Sequence, residues 1–472
     1  MKSIILDLHN KLINDEISIA ELVNQSQKLN NQYKYTNATL ADNYHAAAIE
    51  SQQKEKSVMN HVNDLLFGIP YSLKDLICTK KIITTGGSKF LKDYLSPYDA
   101  QVYKILQKAG GILVSKANCD EYGMGGTGLD SGLAIVSNPI DKQRIVGGSS
   151  SGSAVHVYSG IVPFSIGTDT GDSVRSPASY MGLVGYKPTY GLVSRYGCIP
   201  YAPSMDHIGI ISKYVADAAI VASKIVAYDE KDFTSQKIND REFFKNLKKV
   251  ENVKFCVLKG IEELMDENVK MVYTNYIDNL KQKFIVVEYN LDIKIIKALS
   301  PVYMSLTYAE AASCHANKTS IQFGLSAGGH GYEEIIINAR TNGFGNQVKR
   351  RMTIGSYITS SKNFEKLYQR SKKVRTLIID EMKNIFAIAD CLILPGNGSI
   401  APLIKELESN NISPNTKLVS DLLMLANFSG CPSITIPCSK IDDMPIGINI
   451  TTNIFKDQLV FDIAYTLEEL NE

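Results

Sequence analysis

Read from its N-terminus, the chain begins with helical periodicity. Ser18-Ile-Ala-Glu21 has the pattern of a capping box, and an apolar stripe starts behind it at Leu22 and Val23. An alanine-rich stretch from about Leu40 to Gln53 predicts a second helix. From Leu65 the pattern changes to short apolar runs alternating with amphipathic ones. Phe67–Lys74 reads as a strand, Ala100–Ala109 as a helix with Val102, Ile105 and Leu106 inward, and Gly111–Ser115 as a buried strand. Val215–Tyr228 reads as an amphipathic helix; Cys391–Leu394, Ser433–Ile436 and Ile446–Ile450 read as later strands. Apolar strands alternating with helices predict an α/β fold, with a central mixed, mainly parallel β-sheet covered by helices on both faces.

The same pattern divides the chain. Residues 1–64 form an N-terminal helical segment, and 65–228 a core segment with Gly/Ser-rich loops. Residues 229–300, rich in Lys, Asp and Asn, read as a peripheral helical insertion with strand-like pieces at Lys254–Leu258 and Phe284–Glu288. Residues 301–472 form a second core segment that closes on a C-terminal helix.

Composition changes this picture only by exclusion. Of 472 residues, 44% are hydrophobic and 21% charged, which rules out a disordered or fibrous chain. Lys plus Arg number 50 against 49 Asp plus Glu, so no global charge draws the chain onto nucleic acid or membrane. No window approaches ~18 uncharged apolar residues, so no membrane span is expected. Eight cysteines are scattered without a CxxC pair, and the histidines add no ligand spacing, so no metal site is expected. With no apolar secretory leader, the cysteines read as reduced core fillers of a cytoplasmic protein.

The candidate chemistry lies in two glycine-serine loops. Gly147-Gly-Ser-Ser-Ser-Gly-Ser153 leads straight into the helix-forming Ala154–Ser159, and Gly167-Thr-Asp-Thr-Gly-Asp-Ser-Val-Arg175 follows the apolar Ile161–Ile166. Small residues let successive backbone N–H groups approach and face an oxyanion, so the pair suggests a hydroxyl nucleophile. A Gly/Ser run is more often a linker, however. The nearest nucleophile-elbow pattern, Gly148–Gly152, does not follow a strand, and His156 and His207 read as structural or surface residues. The other candidate base is a lysine kept neutral by burial, Lys74. On the residues alone, the favoured reading of Lys74 is a lysine at an exposed sheet edge.

Gly68-Ile-Pro with Lys74-Asp75, then Gly147–Ser153, then Gly167–Arg175 resemble the motifs of the amidase signature family, and their separations along the chain agree with it. The resemblance implies that family's fold and its Ser–cis-Ser–Lys machinery. Ser173 would be the nucleophile, Ser149 the bridging serine on a cis peptide, and Lys74 the base. The oxyanion hole would come from the N–H groups of Thr170, Gly171, Asp172 and Ser173. Asn118–Gly125, Lys187–Gly197, Ser204–Gly209, Val348–Met352 and Ala426–Pro432 further resemble the family's tRNA-dependent amidotransferase branch. That branch implies a glutaminase subunit supplying ammonia to convert Glu-tRNA(Gln) into Gln-tRNA(Gln), with glutamine held by Tyr303, Arg351 (or its neighbour Arg350) and Asp421. It implies no cofactor in this chain, ATP and Mg on a partner B subunit, a small C subunit completing a heterotrimer, and tRNA contact mainly through B. Without the resemblance, Lys349–Arg351 reads as a solvated basic face, and Asp421 as an aspartate at a helix N-terminus.

The chain departs from the family pattern at Asp172, where the family has glycine. A side chain there costs freedom at positive φ, and a carboxylate near the oxyanion opposes catalysis unless Arg175 or Lys74 pairs with it. The expectation is glutaminase activity weakened or lost, with ammonia release rising in Asp172→Gly. Cys314-His-Ala-Asn317 also departs from the family's usual segment there. The readings kept beside the glutaminase are a stand-alone amidase for another amide and a non-catalytic member of the fold.

Overall fold

A strand that is apolar on both faces needs cover on both sides, and the central strands meet that requirement. The computed structural model describes residues 1–470; the last two residues of the second core segment lie outside it. Eleven strands form one sheet: β1 (Thr39–Asp42), β2 (Pro70–Lys74), β3 (Ile112–Ala117), β4 (Phe164–Asp169), β5 (Val184–Lys187), β6 (His207–Ser212), β7 (Lys254–Leu258), β8 (Ile285–Tyr289), β9 (Cys391–Pro395), β10 (Ser433–Ile441) and β11 (Met444–Thr452). Their spatial order is β1-β3-β2-β4-β6-β5-β10-β11-β9-β7-β8. Every residue of β2 to β6, β9 and β11 is buried. Because successive side chains face opposite ways, both faces are covered.

The sheet is mixed and helix-covered, as expected, but its balance differs from the expectation of mainly parallel pairing. Among the described residues, β2 pairs in parallel with β3 and β4, and β7 with β8 and β9, whereas the other six pairings are antiparallel. Burial on both faces is the usual mark of parallel strands. Here helices cover antiparallel strands equally, so burial does not report direction. One antiparallel pair is a tight hairpin: Asp442 and Asp443 both take positive φ between β10 and β11, the geometry of a two-residue turn that matches strand twist.

The segment 229–300 extends the sheet by its two outermost strands, β7 and β8, at the positions read from the sequence. The stretch from Leu40 does not begin as a helix. Residues 39–42 add β1 to the edge of β3, and the helix runs Tyr44–Glu55. Asn43 makes the break: its N–H donates to Val114 O and its side-chain amide to Leu113 O, docking the chain onto the next strand. The capping box at Ser18 forms, with Ser18 Oγ accepting from Glu21 N–H and Glu21 accepting from Ser18 N–H.

The site is set by the middle of the sheet. β2 and β4 run parallel side by side, so their C-terminal ends open on the same edge. Lys74 ends β2, and the loop holding Ser173 follows β4. The helix Ser151–Tyr158 packs against both strands with its first residues at that same edge.

Candidate active site

Lys74 is not an edge lysine. Its strand lies between β3 and β4, and the residue is fully buried. Nζ lies 2.7 Å from Ser149 Oγ, 2.8 Å from Thr168 Oγ1 and 3.1 Å from Ser150 Oγ. No carboxylate pairs with it among the described residues. Burial lowers its pKa, opposed more weakly by Cys119 and Asp120 among its neighbours, the direction that favours a neutral amine able to accept a proton.

The peptide between Gly148 and Ser149 is cis. Close packing holds this turn: a Cβ on Gly148 would lie 2.2 Å from Asp120 Oδ2, and Gly148 N–H donates to Gly126 O. Ser150 links the turn to its surroundings. Its N–H donates to Ser173 O at 3.2 Å, and its hydroxyl donates to Thr168 O at 3.1 Å.

Ser173 is buried within the loop after β4. The loop's carbonyls are engaged: Gly171 O accepts from Arg175 Nη2, Asp172 O from Ser176 N–H, and Ser173 O from Ser150 N–H. The N–H groups of Gly171, Asp172 and Ser173 have no acceptor among the described residues, so they are available to an oxyanion. Behind the loop, Arg175 is fully buried and grips Asp169 with Nε and Nη2, each at 3.0 Å, and reaches Asn427 and Leu423 O. Burial alone would raise the Asp169 carboxyl; the guanidinium overrides it and holds it well below the usual carboxylate range.

Asp172 does not take a positive φ, and neither does Gly171, so the loop makes no demand for a glycine conformation at either position. Arg175 is committed to Asp169, and Lys74 to hydroxyls, so neither pairs with Asp172. The Asp172 side chain instead lines a cavity of 560 Å³ beside the loop. Burial first, then the Asp169, Asp421 and Asp120 carboxylates, push its pKa up to about 7 against the pull of Arg175.

Of the residues expected to hold glutamine, Tyr303 lies against the same loop. The Tyr303 ring covers Gly171, where an added Cβ would meet it at 3.1 Å. Arg350 is exposed, while Arg351 turns inward, so the solvated-face reading holds for the first and not the second. Arg351 Nη1 donates to Tyr201 OH at 2.7 Å, and its guanidinium lies over the rings of Tyr201 (5.5 Å) and Tyr308 (5.2 Å). Its Nε is buried without an acceptor, and no carboxylate pairs with it among the described residues. Asp421 is buried but ends the helix Pro414–Asp421 rather than starting it. Burial pushes its pKa up to about 7, opposed by Lys417.

Thr168, Ser150 and Tyr201 were not singled out from the sequence. They contact Lys74 or Arg351; Thr168 and Ser150 lie inside the two glycine-serine loops and Tyr201 between the Lys187–Gly197 and Ser204–Gly209 motifs, with no further signal to mark them. His156 and His207 are both buried, bonded to Thr39 and Met205 O, and take no part in the serine cluster. His315, in the departing Cys314–Asn317 segment, is buried against Tyr122 with ring centroids 4.7 Å apart. Among the described residues, no His/Cys/Asp/Glu group has a metal-holding arrangement, and no helix is long and apolar enough to cross a membrane.

Comparison with known proteins places the chain in a family. The Amidase family model matches residues 18–461. Two similar proteins are A subunits of glutamyl-tRNA(Gln) amidotransferase. The one from Mycoplasma genitalium is 43% identical over 415 residues, covering 86% of this chain and 87% of its own. The one from Mycoplasma pneumoniae is 40% identical, covering 100% of this chain and 98% of its own. Among solved structures, the corresponding protein from Thermotoga maritima matches with a TM-score of 0.72 at 34% identity, over 85% of this chain and 83% of its own. This chain belongs to the amidase family of enzymes, and it is similar over its full length to the A subunits of glutamyl-tRNA(Gln) amidotransferase.

Proposed function

We propose that this chain is the glutaminase subunit of a tRNA-dependent amidotransferase, releasing ammonia from glutamine for the conversion of Glu-tRNA(Gln) to Gln-tRNA(Gln). Lys74, as the neutral amine, accepts the proton of Ser149 Oγ, which accepts that of Ser173 Oγ. Ser173 Oγ attacks the side-chain amide carbon of glutamine, and the carbonyl electrons move onto oxygen, met by the N–H groups of Gly171, Asp172 and Ser173, with Thr170 beside them. Collapse expels ammonia, which takes a proton back through Ser149. Water then attacks the acyl-serine by the same relay, returning glutamate and free Ser173. Each oxyanion donor is worth about 3–4 kcal/mol in comparable sites.

The observation that carries the reading is the buried lysine against two serine hydroxyls, beside a loop whose N–H groups are left open to an acceptor. The glutamine assignment is supported by Arg351. A guanidinium desolvated by tyrosines and lacking a carboxylate partner suits the α-carboxylate of an amino acid. Partner B and C subunits, ATP and Mg on B, tRNA contact and a cytoplasmic setting come to this chain from its resemblance to that branch, and the near-zero charge is compatible with leaving RNA to a partner. Hydrolysis of glutamine against acetamide is the test. Strong preference for glutamine, lost in Arg351→Ala, is expected; equal use of both identifies a stand-alone amidase instead.

A further inference from the structure

The guanidinium of Arg351 is held in place by a tyrosine. Its Nη1 donates to Tyr201 OH at 2.7 Å and is the only Arg351 side-chain nitrogen with an acceptor among the described residues; Nε is buried without one. The protons around Tyr201 can be assigned without choice. Thr307 is fully buried, one turn along the helix Ile293–Cys314 from Tyr303, and gives its hydroxyl proton to Tyr303 O at 2.8 Å. Having a single proton, it accepts from Tyr201 OH, 3.0 Å away. The phenol proton is thereby committed, and the phenol oxygen offers its lone pairs to Arg351. A guanidinium has no lone pair to give back, so the chain of bonds runs in one direction only.

The backbone of Tyr201 is tied to the nucleophile loop. Its N–H and that of Ala202 both donate to Asp206 Oδ2 at 2.9 Å, and Asp206 Oδ1 accepts from Thr170 Oγ1 at 2.7 Å. Thr170 lies three residues before Ser173. Tyr201, only 2% exposed, thus holds the guanidinium with its side chain and the loop's partner with its main chain. Bonds among buried polar groups fix geometry, because any other arrangement leaves a donor or acceptor unpaired. With Nη1 occupied, the edge formed by Nε and Nη2 is the part of the fork left for a carboxylate to meet in two parallel bonds.

From this network we infer that Tyr201 is a positioning residue. Its hydroxyl presents the Nε–Nη2 edge of Arg351 to the substrate's carboxylate, at a span from Ser173 that is set through Asp206 and Thr170. The inference rests on the glutamine reading above. Because the hydroxyl acts through Arg351, it bears on glutamine binding and not on the attack by Ser173.

The test is Tyr201→Phe in the full chain copurified with its partner subunits, a change that removes one oxygen and leaves the backbone bonds to Asp206 in place. The KM for glutamine rises about tenfold, the scale of one hydrogen bond to a charged group, and kcat changes less. In Arg351→Lys, where that bond is already gone, adding Tyr201→Phe raises KM no further. Labelling of Ser173 by a small fluorophosphonate, which carries no carboxylate for Arg351 to hold, slows far less than kcat/KM for glutamine falls. An unaltered KM in Tyr201→Phe, an effect of the same size in both Arg351 backgrounds, or labelling lost in step with glutamine turnover overturns the inference. An unsubstituted complex that hydrolyses acetamide as readily as glutamine overturns the glutamine reading instead, a distinguishable result.

Discussion

Lys74, the proposed base, illustrates how position rather than residue type sets an amine's hold on its proton. A lysine at a sheet edge stays charged, whereas one inside the sheet, facing only hydroxyls and a carbonyl, is pushed towards the neutral amine. In the rate profile, kcat therefore falls on the acid side as Lys74 takes up a proton, and Lys74→Met removes that limb together with nearly all activity. A profile in which Lys74→Met keeps an acid limb and substantial turnover would sink the base assignment. Binding has its own pH dependence. On the proposed glutamine reading Asp421 takes the substrate's α-ammonium, for which its carboxyl, held up to about 7, must ionise; the KM for glutamine is then expected to fall as pH rises through 7, a dependence that disappears in Asp421→Asn. Arg351→Lys replaces a planar fork with a point charge that loses the hydrogen bond to Tyr201 OH and the stacking on Tyr308. It should raise KM by roughly ten- to a hundredfold, on the scale of 1.5–3 kcal/mol for a charged hydrogen bond, with kcat less affected. At this scale the sequence was legible where motifs were: Lys74, Ser149 and Ser173 stand in recognisable motifs. Thr168, Tyr201 and the direction of the Asp172 side chain were not, because they depend on which strands and helices meet.

Two elements carry the site's geometry. The helices Ile293–Cys314 and Asn346–Thr359 bring Tyr303 and Arg351 to the loop, and they approach so closely that a Cβ on Gly355 would lie 2.0 Å from Tyr308 O. Gly355→Ala should therefore push the helices apart, lower stability and raise the KM for glutamine, because Tyr308 stacks on Arg351; thermal unfolding and steady-state kinetics read both effects. The second element is the loop after β4, fixed from behind by Arg175 and Asp169. Arg175→Met leaves a buried carboxylate unpaired, a loss of about 3–5 kcal/mol. Because the folded-state pKa of Asp169 is depressed, its stabilisation is present above the ordinary carboxylate value of about 3.9 and is lost as pH falls below it. Denaturant titrations at pH 7 and pH 3 should accordingly differ less in Arg175→Met than in the unaltered protein. Strand positions were readable from apolar runs, as at Lys254–Leu258. The failure at Leu40 has a tertiary cause: alanines favour helix, but the edge of β3 and the docking of Asn43 claim residues 39–42 first.

For the molecule as a whole, one sheet places Lys74 and the Ser173 loop on neighbouring parallel strands, and Arg175 ties the helical segment before β10 to that loop by reaching Asn427 and Leu423 O. Strand direction was the least legible feature, since helices bury parallel and antiparallel strands alike. The central claim is that Ser173 attacks glutamine with Lys74 and Ser149 relaying its proton. The most direct measurement is ammonia release from glutamine by this chain copurified with its B and C partner subunits, with ATP and Glu-tRNA(Gln), compared with Ser173→Ala in the same complex. Release that falls by on the order of a thousandfold or more in the variant is the predicted result. A complex that assembles but releases no ammonia, or one in which Ser173→Ala releases it as fast, contradicts the claim.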